Sequence, residues 1–126
     1  EMGPGIVRLF WAFDRLVDPS RIAEIKRQSN GIEEAFREDG GRKLNLDPGL
    51  LSLSRFVLAT GKDGSHRVPL RDGIYAEVTL VFERGEFRPL PWTYPDYRTE
   101  GCRSVLKAIR EGYRERLRAA EPRASR

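Results

Sequence analysis

A chain of 126 residues, 39% hydrophobic and 33% charged, has the size of one domain with a modest core and lies outside the composition of disordered chains. The net charge of +4 is mild, and the stretch from Tyr113 onward, with five arginines against two glutamates, supplies most of it, so charge alone does not make a nucleic-acid binder. The single cysteine excludes an internal disulfide and a multi-cysteine zinc site, and no apolar run reaches the roughly 20 residues that a spanning helix needs, so a cytoplasmic protein without membrane association is the expectation.

The chain begins at Glu1 and passes almost at once into residues 6–13, IVRLFWAF, an apolar run that predicts a buried or half-buried strand. So abrupt a start suggests that an N-terminal portion is missing. Asp18-Pro19 then supplies an N-cap with proline at the first helical position. Ile22, Ile25, Ser29, Ile32 and Phe36 recur every three or four residues and predict a helix with one apolar stripe, ending before Gly40-Gly41. Residues 42–46, RKLNL, read as a short strand, and Asp47-Pro48-Gly49 as a turn in which proline presets one dihedral and glycine accepts a positive one.

RFVLAT, residues 55–60, predicts the next strand, and GKDGS turns the chain. Residues 66–70 form a weak strand whose Pro69 belongs on a sheet edge. Asp72-Gly73 leads into residues 74–83, IYAEVTLVFE, the clearest strand of the chain, with Ile74, Ala76, Val78, Leu80 and Phe82 on one face and Tyr75, Glu77, Thr79 and Val81 on the other. Arg84-Gly85 closes a hairpin onto EFRPL, residues 86–90. In PWTYPDYR, residues 91–98, Pro91 and Pro95 hold the preceding residues away from helical geometry, which predicts a stiff extended corner up to a helix that Thr99 caps. Cys102, Val105, Leu106, Ile109, Tyr113, Leu117 and Ala120 mark one face of that helix, stopped by Pro122. The order predicts a single α+β domain over residues 1–126, with a mainly antiparallel sheet and two principal helices.

Several chemistries are excluded. Gly61-Lys62 follows a strand, yet a P-loop needs glycine five places earlier and Ser or Thr after the lysine, and Phe56 and Asp63 stand there. One histidine allows no His-x-x-x-His pair, and there is no G-x-S-x-G elbow. No metal ligand set or cofactor motif is assigned, and whether the protein is an enzyme is left open.

What remains is a polar set that includes Lys62, His66, Arg67, Glu77, Asp96 and Arg98. Glu77 sits at the centre of a strong strand, where a carboxylate needs a cationic or hydrogen-bonding partner if it is covered; the plainer alternatives are a solvent-facing residue or a cross-strand pair with Arg67. His66 suits acid–base work near neutral pH, or simply a surface position. Lys62 and Arg67 beside it suit a phosphate or carboxylate, or a solvated basic loop. Asn45 and Asp47 read most simply as turn residues that bond their own backbone. Trp92 and Tyr94 can stack on a ring or plug the sheet, and Asp96 and Arg98 are the two residues of the corner that a corner does not require.

NLDPG, the VLAT-x-K segment with its following HR, DGIYAEVTL and PWTYPDYR together resemble an uncharacterised bacterial family, domain of unknown function 4416, over nearly the whole chain. The resemblance implies a further segment before EMG, so that the first strand, helix and strand here are the remainder of a ferredoxin-like half, followed by a C-terminal hairpin and long helix. It attaches no mechanism to these motifs.

The leading functional expectation is binding of an anionic ligand, a nucleotide or phosphorylated metabolite. Lys62, His66, Arg67 and Arg98 would supply donors, Glu77 and Asp96 would orient them or hold a divalent metal, and Trp92 or Tyr94 would stack. The alternatives are an RNA-binding module using the arginine-rich last helix, and a protein-interaction domain with no small-molecule site. Oligomeric state is left open.

Overall fold

The computed structural model describes residues 8–13, 15–38, 40–41 and 44–120. Its elements are a short 3-10 turn, Pro19–Arg21, leading into helix α1 (Ile22–Ala35), strands β1 (Gly49–Leu51), β2 (Arg55–Thr60), β3 (Val68–Arg71), β4 (Ile74–Glu83) and β5 (Glu86–Pro89), the one-turn helix α2 (Pro95–Arg98) and the long helix α3 (Glu100–Ala120). The five strands form one sheet in the order β1-β2-β4-β3, with β5 also paired to β4. Both β3 and β5 run antiparallel to β4, so the predicted α+β class holds.

The hairpins arise where the sequence places glycine after Asp72 and Arg84. Asp72 and Gly73 have φ of 54° and 75°, and Arg84 and Gly85 have φ of 54° and 84°. Two successive residues at positive φ give the type I′ turn, whose twist matches that of the strands it joins. The register follows from it, with Glu83 opposite Glu86 and Phe82 opposite Phe87.

The chain divides into two compact units, Glu1–Leu50 with Leu58–Glu77, and Leu51–Val57 with Val78–Arg126. In the first, Ile22 and Ala23 of α1 pack with Ala59 and Ile74 of the sheet, and Leu50 joins them. Asp18 caps the start of the helix, its carboxylate accepting from the Ser20 backbone N–H at 2.9 Å. That bond, then the Ser20 hydroxyl, holds the Asp18 carboxyl below the usual range. In the second unit, Phe56, Leu80, Phe87, Tyr97, Cys102 and Leu106 are buried. Phe82 meets Phe87 edge-on, with ring centroids 5.1 Å apart, and the Arg110 guanidinium lies 3.6 Å over the Phe82 ring. Thr99 caps α3 as expected, accepting from the Cys102 N–H at 3.2 Å.

Four expectations need correction. Residues 8–13 form no strand, and Leu9, Trp11 and Phe13 are exposed; the run has strand composition, but no strand edge pairs with it, and residues 6 and 7 lie outside the described residues. Residues 44–46 likewise form no strand, and 42–43 lie outside the described residues. On α1 the buried residues are Ile22, Ala23, Lys26, Ser29 and Glu33, while Ile32 and Phe36 are exposed, because Lys26 and Glu33 turn inward to a backbone partner described below. The corner at 91–98 contains a helical turn, α2, which Pro95 starts at its first position, where a missing N–H costs nothing. The stop at Pro122 falls outside the described residues.

A Cβ built on Gly85 meets nothing within 4 Å, so replacing this residue tests conformation alone. Gly85→Ala is expected to lower unfolding free energy by about 1 kcal/mol in urea denaturation, with unchanged slope, because alanine resists positive φ. A variant as stable as the parent would mean that the turn does not need this geometry.

Candidate functional site

The first unit holds the most unusual chemistry. Because β4 lies between β2 and β3, the connection at residues 61–67 must cross β4 to deliver the chain to its other side. Val68 pairs with Ala76 and Pro69 with Tyr75, which brings Arg67 opposite Glu77 at the edge of the crossing. The connection is tightly folded: Lys62 N–H donates to the Thr60 hydroxyl at 3.2 Å, Gly64 N–H to the Asp63 carboxylate at 2.7 Å, and Arg67 N–H to the Gly64 carbonyl at 3.0 Å. A Cβ at Gly64 would approach His66 Cε1 to 3.3 Å and Arg67 Cδ to 3.4 Å, so glycine lets both side chains lie across the turn.

Glu77 is covered, with 4% of its side chain exposed, and Arg67 nearly so at 10%. Arg67 Nε donates to Glu77 Oε1 at 2.9 Å, and Arg67 Nη1 donates to the Lys62 carbonyl at 2.9 Å. His66 Nε2 lies 2.9 Å from the same Oε1, so the ring donates to the carboxylate through that nitrogen. His66 is the most exposed member of the group, at 25%. Its Nδ1 edge is turned away from the carboxylate by the planarity of the ring. A buried strand carboxylate thus fixes an arginine and orients a histidine on a surface loop. Beside them lies a shallow depression of about 280 Å³ lined by Asp63, Gly64 and Ser65. Lys62 is exposed on the same loop.

Trp92, Tyr94, Asp96 and Arg98 belong to the second unit. Arg98 Nε donates to the Thr93 carbonyl at 2.8 Å, and its Nη2 to those of Leu90 and Pro91 at 2.6 and 3.2 Å. Trp92 Nε1 donates to the Val78 carbonyl at 2.8 Å, Tyr94 is exposed, and the Asp96 carbonyl accepts from the Thr99 hydroxyl at 3.1 Å. Of this half of the predicted set, Asp96 contributes its carbonyl and the Trp92 and Arg98 side chains hold the corner. Thr93, unremarked in the sequence, is its buried centre: its hydroxyl donates to the Thr79 carbonyl at 2.6 Å and accepts from Leu90 N–H at 2.9 Å. A threonine between two prolines gives no pattern by which to foresee this.

Lys26 and Glu33 were also missed, because charged residues on a helix read as its solvated face. No group of three or more His, Cys, Asp or Glu side chains suited to a metal ion occurs among the described residues. No helix there is long and apolar enough to cross a membrane.

The molecule is thus an α+β protein with a polar loop built over a buried carboxylate. The chain belongs to the family of domain of unknown function DUF4416, whose model matches residues 1–113, in agreement with the resemblance carried by its motifs. No curated protein and no solved structure matches it.

Removing one partner from a buried, hydrogen-bonded ion pair leaves the other charge uncompensated. Glu77→Ala is therefore expected to destabilise the protein by on the order of 3 kcal/mol. The double variant Glu77→Ala with Arg67→Ala should lose clearly less than the two single losses combined, and additivity in the denaturation cycle would refute the coupling. Arg98→Ala should cost about 2 kcal/mol in the same assay, since it strips three carbonyl contacts from one cation.

Proposed function

We propose that the protein binds a small anionic ligand, a nucleotide or phosphorylated metabolite, on the loop at residues 61–67. The observation that carries this reading is the sharing of Glu77 Oε1 between Arg67 and His66. One arginine would suffice to neutralise the carboxylate. The second contact adds orientation, fixing an imidazole near the surface on the same loop as Lys62, a loop held by its own backbone hydrogen bonds. Preorganised donors on a rigid loop bind anions well because little entropy is lost on binding. Of the eight residues first considered, Lys62, His66, Arg67 and Glu77 carry the reading. A reducing, cytoplasmic setting suits a chain whose one thiol, Cys102, is buried.

The RNA alternative has less in its favour. Arg103 is engaged with Glu86 and the Phe87 carbonyl, and Arg110 with Glu111 and the Leu53 carbonyl. A protein-interaction role has one specific support, the exposure of Leu9, Trp11, Phe13, Ile32 and Phe36 in the first unit, since solvent-facing aromatic and aliphatic groups in number mark contact surfaces.

Calorimetric titration with a nucleotide panel, with and without magnesium, is expected to show saturable binding that weakens about tenfold in Lys62→Ala and in His66→Ala, the scale of one charge-assisted hydrogen bond. No heat above background across the panel would overturn the reading.

A further inference from the structure

Helix α1 buries two charged side chains for the sake of a single residue outside it. Lys26 and Glu33, 9% and 7% exposed, stand two turns apart on the helix. Lys26 Nζ donates to the Leu46 carbonyl at 3.4 Å, and the Glu33 carboxylate accepts from the Leu46 N–H at 2.6 Å. Both backbone groups of Leu46 are thereby held by charged groups more than nine-tenths covered. Burying a lysine and a glutamate is costly, and an apolar stripe through these positions would pack the helix more cheaply. What the arrangement achieves is rigidity in a segment without secondary structure.

The neighbours of the clamped residue point outward. Asn45 and Asp47 are both exposed, and Asn45 Nδ2 lies 3.5 Å from Asp47 Oδ2. Arg8 reaches the same oxygen at 3.4 Å, a long contact between partly exposed groups. One residue further, the Ala59 N–H donates to the Pro48 carbonyl at 3.2 Å, which fixes this segment to the end of β2, immediately before Thr60, Gly61 and Lys62. Asn45 and Asp47 therefore stand at the same end of the sheet as the loop at residues 61–67, in the same compact unit. A carboxylate accepts from sugar hydroxyls, as an acidic residue does from ribose in dinucleotide sites, and a carboxamide beside it can both accept and donate.

We propose that Asn45 and Asp47, held in place by the Lys26 and Glu33 clamp on Leu46, form the hydroxyl-reading half of the anion site, so that its ligand carries a phosphate and a neighbouring cis-diol. This rests on the anion-binding reading above and narrows it to ribose-type phosphates. The role of Lys26 and Glu33 is positioning.

The test is titration of the full chain with ribose 5-phosphate, 2-deoxyribose 5-phosphate and inorganic phosphate. The intact protein is expected to bind the ribose compound about tenfold more tightly than its deoxy analogue, the scale of one hydrogen bond to a charged group. Asp47→Ala, and Asp47→Asn, which keeps the shape of the side chain, should reduce that ratio to about one while inorganic phosphate still binds. Equal affinity of the intact protein for the two sugar phosphates, with phosphate still bound, overturns the diol inference and leaves the anion site standing. Failure of all three compounds to bind overturns both.

Discussion

The structure turns on a carboxylate that cannot reach water. Glu77 lies in the middle of the strand that every other strand but β1 pairs with, and it is covered where the chain crosses β4 to reach its other side. A carboxylate so placed destabilises the fold unless cations and donors meet it. The crossing provides both, because the register that pairs Val68 with Ala76 brings Arg67 opposite Glu77. Once Arg67 is committed to Glu77 and to the Lys62 carbonyl, the loop has little freedom left, and the position of His66 follows. The unusual residue thus determines the shape of the loop, and the loop determines what the surface offers.

The same economy of means recurs across the first unit. Lys26 and Glu33 fix the backbone of Leu46 much as Glu77 fixes the side chain of Arg67. In each case a charged group is withdrawn from solvent and committed to a segment that lacks regular structure. Loops are ordinarily the mobile and variable parts of a domain, and those that carry binding groups need a rigid support. The second unit uses its buried polar groups differently: Thr93, Trp92 and Arg98 bond to carbonyls of the corner and of β4, and no side-chain carboxylate takes part in those bonds. That pattern closes a corner around backbone carbonyls.

How much of this was legible in the sequence depends on how local the cause was. β2 and β4 follow from alternation and β-branched composition, and the two hairpins from Asp-Gly and Arg-Gly, all of which act within a few residues. The cap at Thr99 is local as well. The buried face of α1 was legible only in part: Ile22 and Ser29 of the predicted stripe are buried, but Ile32 and Phe36 are not, and the partner of Lys26 and Glu33 lies at residue 46. Residues 8–13 were misjudged for the converse reason: their composition is that of a strand, but a strand needs an edge to pair with, and composition does not supply one. The Glu77 site fell between these cases. A carboxylate inside a strand announced that a partner was needed, and Arg67 could be named, yet the sharing with His66 requires the crossing order of the sheet, which no local pattern encodes.

This difference decides which of the eight candidate residues retain chemical freedom. An arginine whose Nε and Nη2 donate to three backbone carbonyls, as those of Arg98 do, has much of its guanidinium committed to the corner. Arg67 is bound in a similar way, so its charge contributes to the field of the loop more than to direct contact with a ligand. A histidine oriented through Nε2 is a different case, because the 2.9 Å contact with Glu77 fixes a ring that stays one-quarter exposed. The Lys62 carbonyl accepts from Arg67 Nη1 while the residue itself is exposed, so the atom that ties this residue to Arg67 is in the backbone. Supporting atoms and surface atoms are separate at Lys62, whose carbonyl is bound while the residue is exposed, and around Leu46, whose backbone is held by Lys26 and Glu33 while its neighbours Asn45 and Asp47 are exposed.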